Sequence, residues 1–157
     1  MPTSERLSAK DFTSGPFAPH GAMDIQVAGR LNVLEAKGPF NLELVLAGDV
    51  AQEQLDTVLN ARGRWGTVLV LKGSALASPE AISEIARIVQ RRVELGIRPV
   101  AFALVVGPEV EGGALMQSHY LSAYASAGIP GRAFADLEQA KLWVLQIIDG
   151  AEPAADR

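Results

Sequence analysis

The sequence predicts a single α/β domain with a mostly parallel central sheet of four to five strands and helices packed on it. Two apolar runs, residues 67–71 and 100–106, lack polar alternation, which is typical of strands that are covered on both faces. The segments between and after them place apolar residues at helical spacing. The predicted order is therefore β-β-α-β-α-β-α-β-α, with the two apolar strands adjacent, parallel and central.

The length of 157 residues suits one domain. Residues 1–23 are rich in Ser, Thr, Pro and Gly and show little periodicity, so we assign them to a flexible N-terminal tail. In an alternative that stays open, Phe12 and Phe17 of this segment dock on the domain. We assign residues 24–149 to the domain and 150–157 to a frayed, acidic C-terminal tail.

Composition disfavours several classes of function. The net charge of −4 argues against a nucleic-acid partner. The chain has no cysteine and only two histidines, so we expect no disulfide, no metal site and no cofactor. No apolar run approaches the roughly 20 residues of a membrane span, and the N-terminus lacks a signal-peptide pattern. We therefore expect a cytoplasmic protein.

Helix and strand boundaries follow from capping and turn residues. Gly29-Arg30 separates two short strands as a hairpin. Asn41 caps a helix that runs to about Arg62, or two helices if Gly48 breaks it. A later helix occupies about residues 114–127, and a short edge strand, residues 132–134, follows.

The clearest helix begins at Ser78, a preferred N-cap, with Pro79 at the first helical position. Its second half carries Arg87, Arg91 and Arg92, and Arg98 follows after the helix. We interpret these four arginines as a solvated face. The alternative is a surface that binds an acidic partner. The last helix begins at Asp136 with Gln139 three positions later, a capping-box-like start. Its apolar face includes Trp143, which we expect to be mostly buried.

Four segments resemble the STAS domain, and more closely its bacterial SpoIIAA-like branch. They are GPFNLELV at 38–45, LKGSALASPEAI at 71–82, VGPEVEGGAL at 106–115 and RAFADLEQAKLWV at 132–144. The resemblance covers about residues 24–148. It implies a non-enzymatic regulatory or protein-interaction domain, similar to an anti-sigma-factor antagonist, that forms a homodimer and binds a protein partner.

In phospho-switched members of that family, a serine after an aspartate, at the start of a helix, is phosphorylated. Ser78 matches that position here, but Ala77 stands in place of the aspartate. We therefore favour Ser78 as a helix cap without a switch role.

Five residues are candidates for binding or switching, and none is assigned a catalytic role: Ser74, Ser78, Glu111, His119 and Tyr120. A second hypothesis is a site for a small apolar or lipid-like ligand near Leu115, Met116, Tyr120 and Tyr124. The least favoured is a hydrolase that combines Ser74 or Ser78 with His119 and Glu111.

Overall fold

The computed structural model describes residues 6–12 and 21–150. In this part of the chain, six strands form one sheet in the order β1-β2-β3-β4-β5-β6. The strands are β1 (Arg6–Ser8), β2 (Ala22–Ala28), β3 (Leu31–Lys37), β4 (Gly66–Lys72), β5 (Phe102–Val106) and β6 (Gly131–Phe134). The helices are α1 (Leu42–Arg62), α2 (Pro79–Glu94), α3 (Gly113–Ala125) and α4 (Leu137–Ile148).

The α/β class and the mostly parallel sheet are confirmed. β3, β4, β5 and β6 run parallel, whereas β1–β2 and β2–β3 are antiparallel pairs. The apolar strands β4 and β5 are adjacent and central, with Leu69 opposite Leu104. The sheet has six strands rather than four to five, because residues 6–8 pair with β2 and place Leu7 opposite Ile25.

The assignment of residues 1–23 to a flexible tail is wrong for the part that the structure describes. After β1, a short 3₁₀ turn, Ala9–Phe12, buries Ala9 completely and packs Phe12 against the core. Ala22 and Met23 already belong to β2. The remainder of the predicted tail, including Phe17, lies outside the described residues, as do residues 151–157.

The two faces of the sheet are covered by different helices. Leu71 and Leu104 face α1, α2 and α3, whereas Val68 and Ala103 face α4. Because both faces are covered, successive residues of β4 (68–71) and β5 (102–106) can all be apolar, as the sequence indicated.

Three predicted helix caps are confirmed. The side chain of Asn41 accepts a hydrogen bond from the Leu44 amide at 3.0 Å, Ser78 from Ala81 at 3.2 Å and Asp136 from Gln139 at 2.9 Å. α1 continues through Gly48 as one helix. In the described ranges, no helix combines the length and apolar character needed to cross a bilayer.

Trp143 is partly buried on the face of the sheet that α4 covers, in line with the sequence prediction. Its ring packs at the side of Phe134, with 5.7 Å between the ring centroids. The fully buried tryptophan is Trp65, which is 1% exposed and donates from Nε1 to Asn60 Oδ1 at 2.8 Å. α4 is the only described helix on its face, so one side of it stays open to solvent.

Candidate functional site

The predicted site residues lie mostly at the carboxyl edge of the sheet. Ser74 and Ser78 are in the loop between β4 and α2, and Glu111 is in the loop before α3. The two loops pair through their main chains, because the Ala75 amide donates to the Glu111 carbonyl at 2.7 Å and the Glu111 amide to Gly73 at 2.9 Å. This edge of the molecule is therefore held in a fixed arrangement.

The hydroxyl groups of this region are used by the local structure. Buried Ser74 accepts from the Leu76 amide at 3.2 Å, and Ser78 caps α2. The Tyr120 hydroxyl donates to the Ala75 carbonyl at 2.7 Å, and burial raises the pKa of that phenol.

The structure brings Ser74, Glu111 and Tyr120 together but does not assemble the hydrolase set. The side chains of Glu111 and His119 are exposed. Among the described residues, no hydrogen bond joins His119 to Ser74 or Ser78.

A buried polar cluster, which the sequence did not predict, lies between α1, α2 and β3. We define the polar cluster as Asn32, Asp49, Gln52, Asp56 and Arg92. Positions 49, 52 and 56 share one face of α1, since residues three and four apart are neighbours on a helix. Asp56 is 2% exposed and Arg92 4% exposed, so both charges are removed from water.

Arg92 links the two carboxylates of the polar cluster. Its Nη1 lies 3.4 Å from Asp56 Oδ2, and its Nη2 donates to the side chain of Asp49 and, at 3.1 Å, to the Asp49 carbonyl. Asn32 Nδ2 donates to Asp56 Oδ1. One buried cation therefore lies between two carboxylates.

This arrangement alters the acidity of Asp56. Burial raises its pKa to about 6, although Arg92 and hydrogen bonds from Asn32 and Gln52 act in the opposite direction. Asp49 adds to the rise because it is a second negative charge nearby.

The arginines that we interpreted as one solvated face have separate roles. Arg92 is buried, which corrects that interpretation. Arg91 lies 2.6 Å from Glu53, and Arg87 pairs with Glu84 on the surface. Arg98 donates to the carbonyls of Ala127 and Gly128 at 3.2 and 2.6 Å.

A cavity of about 70 Å³ lies between α1, α2, α3 and the sheet, with the polar cluster at one end. Its polar lining comes from Asp49, Gln52 and Arg92. Most of its wall is aliphatic and includes Leu34, Leu44, Leu69, Leu71, Ile88 and Val89.

The aromatic residues of the ligand hypothesis are divided by the structure. Tyr120 and Tyr124 line the cavity, and the Tyr124 ring stacks on Phe102 with 3.8 Å between centroids. Met116 is buried elsewhere in the core, and Leu115 is 69% exposed. Only the tyrosines of that group therefore line the cavity.

Some buried polar atoms of this region make no hydrogen bond with the described protein groups. They are Arg92 Nε, Asn32 Oδ1 and Thr67 Oγ1. The acid nearest to Arg92 Nε is Glu53, whose Oε1 lies 4.0 Å away, which is too long for a hydrogen bond.

The raised pKa of Asp56 predicts a specific pH dependence of stability. The folded state holds the Asp56 proton more tightly than the unfolded state, so this stabilisation is complete below about pH 4 and is lost as the pH rises through about 6. Relative to Asp56→Asn, which cannot titrate, the wild type should lose about 2.5 kcal/mol of unfolding free energy between pH 4 and 7.

Urea denaturation of both proteins across this range measures the difference. Glu138→Gln, which removes an exposed carboxylate, is the control. Parallel pH profiles for the wild type and Asp56→Asn would show that Asp56 ionises normally.

Comparisons with protein-family models, with curated proteins and with solved structures found no match for this chain. The STAS relationship is therefore a hypothesis that depends on the four segments quoted above.

Proposed function

We propose that this chain is a non-enzymatic, STAS-like regulatory domain that binds a protein partner in the manner of an anti-sigma-factor antagonist. The observation that carries the proposal is the position of Ser78, which begins the helix after a central parallel strand. From β2 onward, the strands and helices also follow the β-β-α-β-α-β-α-β-α order that the sequence predicts for this domain. A cytoplasmic homodimer is part of the same proposal.

The contacts of the candidate hydroxyls support a role without catalysis. Ser74 and Ser78 each accept a main-chain hydrogen bond, and Tyr120 donates one. A nucleophilic serine needs a base within hydrogen-bond reach, whereas these side chains stabilise loops and a helix end. The hydrolase hypothesis therefore stays the least favoured.

Substitution of Ser78 separates its stabilising role from signalling. Ser78→Ala should lower the free energy of unfolding by about 0.5–2 kcal/mol because the cap is lost. Ser78→Asp should be nearly neutral, since aspartate also caps and its charge suits the helix N-terminus. Urea denaturation of both variants, with exposed Ser83→Asp in the same helix as the control, measures these effects.

The same variants test the proposed function. Wild-type protein used as bait should retain a specific partner that binds again when both proteins are purified. We expect Ser78→Asp to retain it equally, because Ala77 replaces the acidic residue of phospho-switched relatives. Selective loss of the partner in Ser78→Asp, but not in Ser83→Asp, would show that Ser78 is a switch. Failure of the wild type to bind any partner in the purified test would contradict the proposal.

A second candidate function is binding of a small apolar ligand, and the cavity is the observation that favours it. Its volume of about 70 Å³ is well below the roughly 300–1,000 Å³ of typical ligand pockets. A compact molecule therefore fits better than a lipid acyl chain.

A further inference from the structure

We propose that two copies of this chain pair through the exposed face of α1, with the two helices antiparallel. This inference rests on the homodimer of the proposed function and adds the surface that forms it.

The exposed face of α1 carries an apolar stripe. The described part of the chain exposes six large apolar side chains, and three of them lie on this helix: Leu46, Val50 and Val58. Val50 follows Leu46 by four positions and Val58 follows Val50 by eight, so the three lie along one side of the helix. We define the α1 stripe as these residues together with Gln54, which lies between them. The other three exposed apolar side chains lie apart from one another, at the end of α2 and on α3 and α4.

The middle of this face carries no exposed charge. Between positions 46 and 61, the exposed residues of α1 are Leu46, Val50, Gln54, Thr57, Val58 and Ala61. Thr57 already donates to the Glu53 carbonyl at 2.7 Å, and the side chains of Asp49 and Glu53 pair with arginines of α2. The face can therefore be covered by another protein surface without removing an unpaired charge from water.

The order of charges at the two ends of α1 favours a second copy as the partner. Glu43 lies in the first turn and Arg62 in the last turn. When two copies of α1 pack antiparallel about a two-fold axis at the middle of the helix, Glu43 of each copy lies near Arg62 of the other. Leu46 then meets Val58 of the second copy, because both lie equally far from the middle of α1. A two-fold interface requires a face that complements itself, and the α1 stripe with its two terminal charges meets that requirement.

The size of this face sets the expected strength of the dimer. A helix of 21 residues is about 30 Å long, and only one helix of each copy takes part. Such a contact lies at the small end of specific interfaces, so we expect a dimer that dissociates on dilution in the micromolar range.

Sedimentation equilibrium of a substitution in the α1 stripe tests the surface. The wild type should be dimeric at high micromolar concentration, and Val50→Glu should weaken the dimer about 100-fold, because it brings two like charges together near the axis. Leu142→Glu, which adds the same charge at an exposed leucine of α4, is the control and should leave the dimer unchanged. Urea denaturation checks that both variants are folded.

A charge exchange tests the antiparallel arrangement. Glu43→Arg places two cations at each end of the interface and Arg62→Glu places two anions there, so each variant alone should dimerise about tenfold more weakly than the wild type. An equimolar mixture of the two variants restores both pairs of opposite charges. It should therefore form a mixed dimer as stable as the wild-type dimer, which native mass spectrometry distinguishes by mass.

The outcomes separate this inference from the proposed function. A dimer that survives Val50→Glu would place the interface elsewhere, while the homodimer stands. A mixture that associates no better than its two components would overturn the antiparallel pairing. A wild type that stays monomeric at high micromolar concentration would remove both the homodimer and its surface, whereas binding of a protein partner is tested separately with the Ser78 variants.

Discussion

Arg92→Ala is expected to lower the free energy of unfolding by about 3–5 kcal/mol at pH 7, the usual effect of removing one partner of a buried ion pair. The substitution leaves Asp56 without its cation in a site that is 2% exposed. It also removes the hydrogen bonds from Arg92 to the side chain and carbonyl of Asp49. Urea denaturation measures the loss.

A neighbouring arginine supplies the matched control. Arg91 is one position away, pairs with Glu53 and keeps 43% of its side chain exposed. Arg91→Ala should therefore cost at most about 1 kcal/mol. The loss in Arg92→Ala should also shrink near pH 4, where Asp56 is protonated. Similar losses for both arginines would contradict the burial of Arg92.

Trp65→Ala should have an effect of similar size, about 3–5 kcal/mol, because it removes a fully buried aromatic side chain. The ring belongs to the core cluster that contains Leu55 and Leu59. Its Nε1 also donates to Asn60, so the truncation removes a hydrogen bond as well as packing. Denaturant melts of the purified variant measure the loss.

Trp143→Ala is the comparison for this experiment. The Trp143 ring is partly buried beside Phe134, so its loss should cost less than that of Trp65. A greater loss for Trp143→Ala than for Trp65→Ala would contradict the structure, in which Trp65 is the more deeply buried of the two.

The sequence predicts most of the fold because its signals are local. Ser78 and Asn41 begin helices through their own side chains, and the apolar runs of β4 and β5 are typical of strands covered on both faces. β1 was missed because a three-residue strand has no periodicity and exists only through pairing with β2.

The candidate site was harder to predict because its residues come from separate elements. One sequence feature does indicate the polar cluster. The spacing of Asp49, Gln52 and Asp56 puts three polar side chains on a single face of α1, near the buried Leu55. The identity of their partner depends on how α2 docks on α1. Of two consecutive arginines, only Arg92 is turned into the interior, and nothing in the sequence distinguishes it from Arg91.

The most direct test of the buried polar cluster is a ¹³C NMR titration of the Asp56 side-chain carboxyl. The wild type should titrate with a pKa near 6, because burial outweighs the effect of Arg92. Assignment of the signal is secured by its absence in Asp56→Asn. A pKa at or below about 4, the ordinary value for aspartate, would contradict a desolvated Asp56 and with it the buried cluster at the end of the cavity.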